Sequence, residues 1–111
     1  MSDHVDPGLI AVFTTVGTRE DARRIAQVLV ERGLVACAQL SDIESIYRWD
    51  GALQQEPEVR LMLKTTKDRY EGLEAAIRAL HPYNLPSIFA LPVSAASVDY
   101  ADWVRQNTET E

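Results

Sequence analysis

Val35-Ala36-Cys37-Ala38-Gln39-Leu40, Ile43-Glu44-Ser45-Ile46-Tyr47-Arg48-Trp49-Asp50-Gly51 and Val59-Arg60-Leu61-Met62-Leu63-Lys64 together decide the fold. Each run is short, extended in character and rich in residues that suit a pleated surface. Asp50-Gly51 accepts the positive φ angles of a two-residue hairpin turn, so the runs before and after it are predicted to pair antiparallel. Beyond the turn, Val59, Leu61 and Leu63 alternate onto one face. Tyr47 and Trp49 likewise share one face of an arm that extends past the body of the sheet.

Outward toward the N-terminus, Leu9 to Thr15 is a continuous apolar run, as in a strand buried on both faces. Gly17 breaks it, and Thr18 offers a side-chain oxygen to cap a helix whose first turn holds Glu20 and Asp21. Ala22, Ile25, Ala26 and Leu29 recur at helical spacing, and Gly33 ends the helix. Toward the C-terminus, Thr66 or Asp68 is predicted to cap a helix with Tyr70, Leu73, Ile77 and Leu80 on its apolar stripe. His81-Pro82 stops it. Ser87 to Val93 reads as a last strand, and Ser97 as the cap of a short helix turning Tyr100, Trp103 and Val104 inward.

The order β-α-β, hairpin, β-α-β plus one helix defines an α+β fold, the ferredoxin-like split βαβ sandwich. It predicts an antiparallel sheet with two helices on one face and a long hairpin arm. Residues 1–8 are expected as a flexible N-terminal tail, 9–106 as a single domain and 107–111 as a frayed end. Helices on one face leave the other bare, yet the strands are apolar nearly throughout. That face and the aromatic arm predict burial against further copies of the chain in a closed homo-oligomer.

With 111 residues, 46% hydrophobic and 25% charged, the chain has the composition of one ordinary globular domain. Its net charge of −6 and lack of a Lys/Arg block disfavour nucleic acid as a partner. There is no signal-peptide pattern and no apolar run long enough to cross a membrane, so a cytoplasmic protein without a membrane partner is expected. A single cysteine, Cys37, excludes an intrachain disulfide and is read as a small core hydrophobe.

Few residues carry chemistry. His81 ends a helix, where the dipole favours a protonated ring; capping the last carbonyls and lining a pocket are both open roles for it. Glu56 and Glu58 flank Pro57 as a carboxylate pair or a solvated strand edge, and Lys64 closes an apolar strand, facing solvent or a cleft. His4 follows Ser2 and Asp3 near the chain start. A free terminal amine, two amides and a third-position imidazole suit square-planar Cu(II) or Ni(II), against an incidental tail histidine.

Leu34 to Ala38, Ile46 to Gly51, Glu58 to Thr65, His81-Pro82-Tyr83 with Pro86, and Leu91-Pro92-Val93 ahead of Asp99 to Trp103 resemble the CutA divalent-cation tolerance proteins. The resemblance runs over about residues 9 to 105. It implies a homotrimer built through the hairpin arm, a role in tolerance of copper or another divalent metal, and no turnover. It also implies a ligand in clefts between subunits, near Tyr47, Trp49, Glu58, Lys64, His81 and Tyr83. Cu(II) or another divalent metal is the implied ion, not required for folding, with His81 as a ligand. Two further donor positions of some family members fall on Thr14 and Ser87, which lack those donors. Two other readings compete. An acylphosphatase-like hydrolase would use Thr14 to Arg19 as an anion loop, and a trimeric scaffold would anchor an unknown protein partner.

Overall fold

The computed structural model describes residues 6–108. Four strands form one sheet in the order β2-β3-β1-β4: β1 (Leu9–Val16), β2 (Cys37–Trp49), β3 (Ala52–Thr66) and β4 (Phe89–Pro92). All three pairings are antiparallel. Helices α1 (Arg19–Glu31) and α2 (Tyr70–Leu80) cross between strands, and α3 (Val98–Gln106) follows β4. This is the expected α+β split βαβ architecture.

Two of the cap residues act as their sequence positions foretell. The Thr18 hydroxyl accepts from the Asp21 amide at 3.1 Å, and Ser97 does the same for Tyr100 at 3.3 Å. Gly33, at φ 69°, lets the chain reverse after α1 while its amide and that of Leu34 bond to Val30 and Leu29. Helix α2 differs. Thr66 caps nothing through its side chain, because its hydroxyl donates to the Asp68 carboxylate and a 3₁₀ turn, Lys67–Arg69, intervenes.

The hairpin is longer than the sequence reading. Cys37 to Trp49 is one unbroken strand, paired from Cys37↔Lys64 to Trp49↔Ala52 around Asp50 and Gly51 at φ 55° and 78°. Pro57, which the sequence places only at a strand start, lies inside β3 opposite Glu44 in the two-stranded arm. One side of each arm strand has no neighbour, so a missing N–H is tolerated. β1 reaches only as far as Val16↔Val59, leaving residues 43–49 and 52–58 to project beyond the sheet. β4 is shorter than the predicted 87–93 and pairs only between Phe13↔Phe89 and Ile10↔Pro92.

The main core joins Val12, Val16, Leu61 and Leu63 of the sheet to Ile25 and Leu29 of α1 and Leu73 and Ile77 of α2. The opposite face is only partly covered, because α3 packs Ala101 and Val104 on Leu9 and Ala36 at one end. Phe13 and Phe89 stack at 5.3 Å on the uncovered part, where Phe89 and Leu91 are 50% and 52% exposed. Two expectations are corrected here. Tyr100 and Trp103 do not turn inward; they stack on each other and stay 37% and 43% exposed, since the narrow α3 interface takes only small or branched side chains. Cys37 is half-buried and alternates with the core positions.

Parts of both expected tails are engaged. Gly8 accepts from the Lys67 amide, Arg105 donates to the Pro7 carbonyl at 2.7 Å, and Asp6 pairs with Lys67. Thr108 is buried, with its hydroxyl on the Val104 carbonyl.

Thr14 is fully buried on the helix-covered face, and its hydroxyl has no hydrogen-bond partner. Burying an unpaired hydroxyl costs about 1–3 kcal/mol. Thr14→Val, which keeps the shape, is expected to raise the unfolding free energy by about 1 kcal/mol in chemical denaturation at fixed protein concentration.

Candidate functional site

The arm root, where β2 and β3 leave the sheet, collects most of the chemistry. The β3 period of two points Glu56 and Glu58 to one side, and the register set by Asp50-Gly51 brings Tyr47 to that side too. The Tyr47 hydroxyl donates to Glu56, and the Tyr83 hydroxyl to Glu58 at 3.0 Å. Gly17, the residue after β1, makes room for the second contact, since a Cβ there would stand 3.3 Å from the Tyr83 oxygen. Neither carboxylate has a cationic side chain in ion-pair range among the described residues.

Burial pushes the Tyr83 phenol up to about 12, and its bond to the Glu58 carboxylate acts in the same direction. Tyr47 is also raised, chiefly by donating to Glu56. Both phenols therefore stay protonated and remain donors at neutral pH.

His81 ends α2 and is only 8% exposed. Its Nε2–H donates to the Thr15 carbonyl at 2.8 Å, and Nδ1 accepts from the Tyr83 amide at 3.1 Å. That pair of partners requires the neutral ring with its proton on Nε2. The ring therefore joins β1 to the His-Pro-Tyr turn and does not cap its own helix. Arg24 supplies that contact, donating to the Leu80 carbonyl at 3.0 Å. The expected dipole-stabilised cation is overruled: burial, the dominant effect, holds the His81 pKa below its ordinary value. Asp21, Glu58 and the Thr15 carbonyl oppose that effect, and Arg24 adds to it. While both bonds stand, neither nitrogen has a lone pair to offer a metal.

The six cleft positions fall into three places. Tyr47, Glu58, His81 and Tyr83 gather at the arm root, and Trp49 stands exposed at the arm tip. Lys64 lies six residues beyond Glu58 on β3, about 20 Å away at the rise of a strand. Its ammonium sits over the Tyr100 ring at 5.6 Å. Thr14 is in the core and Ser87 on the surface. His4 lies outside the described residues. No group of three or more His, Cys, Asp or Glu side chains converges as a metal site among the described residues.

Sequence reasoning underrated Glu56, whose partner Tyr47 becomes visible only once the hairpin register is fixed, and missed the Gly17–Tyr83 contact. In the Thr14 to Arg19 loop, the Thr18 hydroxyl is used as a helix cap and Arg19 pairs with Asp42 at 3.0 Å. That loop presents no unpaired arginine to an acyl phosphate.

The His81 bonds give the fold a pH dependence. On acidification an unfolded histidine takes up its proton near pH 6.5, whereas folded His81 resists protonation until lower pH. Stability is thus intact above about 6.5 and falls as pH drops toward the folded pKa. His81→Gln is expected to flatten the wild-type loss of denaturation midpoint between pH 7 and pH 5. An unchanged slope would place the dependence on other groups.

Comparison with known proteins agrees with the geometry. The family model for the CutA1 divalent ion tolerance protein matches residues 10–107. The divalent-cation tolerance protein CutA of Thermus thermophilus is 43% identical over 98 residues, covering 87% of this chain and 95% of that protein. A protein of Arabidopsis thaliana named CutA, chloroplastic, is 35% identical over 89% of this chain, which spans 55% of that protein's length. The solved structure of CutA from Synechococcus elongatus superimposes with a TM-score of 0.89 at 40% identity, covering 91% of this chain and 90% of that one. Matched by that family model over residues 10–107, the chain belongs to the CutA1 divalent ion tolerance family.

Proposed function

We propose that the protein works as a homotrimer in divalent-cation tolerance, binding a metal ion or small ligand between subunits without turnover. The observation that carries this reading is the arm-root pair Glu56 and Glu58, each held by a phenol and neither neutralised by a cation among the described residues. Two carboxylates per chain are too few to enclose a divalent ion, so a site there needs donors from another subunit or from water. The projecting arm and the exposed Phe89 and Leu91 supply a reason for subunits to meet, since burial of both faces removes unpaired strand edges and apolar surface from water. Carboxylate oxygens, in place of the His81 ring, are the ligands in this reading.

A relative is named for the chloroplast. Among the described residues no helix is long and apolar enough to cross a membrane. Cytoplasmic residence is part of the proposal.

Cu(II) titration followed by calorimetry tests the site, in a His4→Ala background so that the tail contributes nothing. Glu56→Gln/Glu58→Gln is expected to weaken Cu(II) binding at least tenfold, and His81→Gln to leave it nearly unchanged. Equal binding by the double variant would move the metal elsewhere.

A further inference from the structure

Helix α3 meets the body through little apolar surface. Ala101 and Val104 pack on Leu9 and Ala36, with Val93 and Ala96 partly buried beside them. A nine-residue helix is too short to persist in water by itself. Its far end is tied to the segment before β1. In the last turn of α3, Arg105 donates to the Pro7 carbonyl at 2.7 Å, 98 residues away in sequence, and to the Asp102 carboxylate at 3.3 Å. Residues 6–8 are in turn fastened to the exit of β3. The Lys67 amide donates to the Gly8 carbonyl at 2.9 Å, and the Lys67 ammonium pairs with Asp6. Asp6 also accepts from the Gly8 amide at 2.8 Å, in a turn that Gly8 closes at φ 71°. We infer that residues 6–8 form a strap that latches α3 onto the sheet, with Arg105 as its catch, and that α3 opens as a unit when the catch is lost.

Polar bonds, and not packing, make this joint. An open groove of about 320 Å³ is bounded by the strap, the exit of β3 and the end of α3, with Gly8, Thr66, Arg69 and Thr108 among its walls. A charge-assisted bond to a carbonyl is stronger than an exposed ion pair one turn apart on a helix. Within the Arg105 side chain the Pro7 contact therefore outweighs the Asp102 contact. Elements held by few buried contacts open locally before the whole domain does. Every contact of the strap lies within one chain, so none depends on a face that further copies cover. The sheet face that α3 partly covers is the one the trimer reading gives to neighbouring copies. Resting on that reading, the latch also fixes the shape that a neighbour meets.

Hydrogen exchange of the assembled protein, read by peptide mass spectrometry, tests the latch apart from the oligomeric state. Arg105→Gln is expected to speed exchange over 98–106 about tenfold or more, as the loss of one hydrogen bond from a charged group implies. Residues 9–16 and 59–66 should keep their wild-type rates. Asp102→Asn, which leaves the Pro7 bond in place, should change α3 exchange about twofold or less. Arg105→Lys, which keeps a cationic donor for Pro7, should restore much of the protection. Unchanged α3 exchange in Arg105→Gln overturns the proposal, as does equal acceleration in α3 and the sheet. An Asp102→Asn effect as large as that of Arg105→Gln also overturns it, since the protection would then come from the helix's own ion pair.

Discussion

The pairing of β2 with β3 is the constraint on which the other features depend. Its register, set at Asp50-Gly51 and carried to Cys37↔Lys64, assigns every β3 side chain to a face. Val59, Leu61 and Leu63 go under the helices, Met62 and Lys64 to the half-covered face, and Glu56 and Glu58 to the side of Tyr47. A slip of one residue would exchange these sets, burying Arg60 and Lys64 in the helix-covered core. Losing three buried aliphatic side chains costs several kcal/mol, comparable to the whole stability of a small domain. The register that builds the core is therefore the one that assembles the arm-root cluster.

Much of the fold was legible because it rests on local signals. The Thr18 and Ser97 caps, the Gly33 stop, the helix stripes and the Asp-Gly turn each act within a few residues. Where the sequence misled, non-local context won. Pro57 looked like the edge of a strand until the arm proved to be two-stranded, and Trp103 looked like core until α3 was seen to offer so narrow a contact. The candidate site was less legible. Glu58, Tyr83 and His81 come from separate parts of the chain, brought together only where β1 ends at Val16 and Gly17 passes beside the His-Pro-Tyr turn. Lys64 lies six residues beyond Glu58 on β3, about 20 Å along the strand within one chain, a separation that no local pattern reveals.

His81 shows how burial reassigns a residue that composition marks as reactive. A helix C-terminus favours the imidazolium by a fraction of a kcal/mol to about 2 kcal/mol, yet an almost enclosed ring with an amide donor at Nδ1 is neutral. Its work is mechanical, tying β1 to the turn that carries Tyr83 and so holding Tyr83 on Glu58. The neighbouring phenols, kept protonated, orient the carboxylates without neutralising them. An oriented, uncompensated pair on a projecting arm is the basis for placing function between subunits.

The claim at the centre is that further copies of the chain cover the arm and the open sheet face. Sedimentation equilibrium of the untagged protein over a wide dilution range tests it most directly. The expected result is a single species of three times the 12.4 kDa chain mass, persisting on dilution. A species of one chain mass at all concentrations would contradict it, and with it the reading of the arm root as part of a shared site.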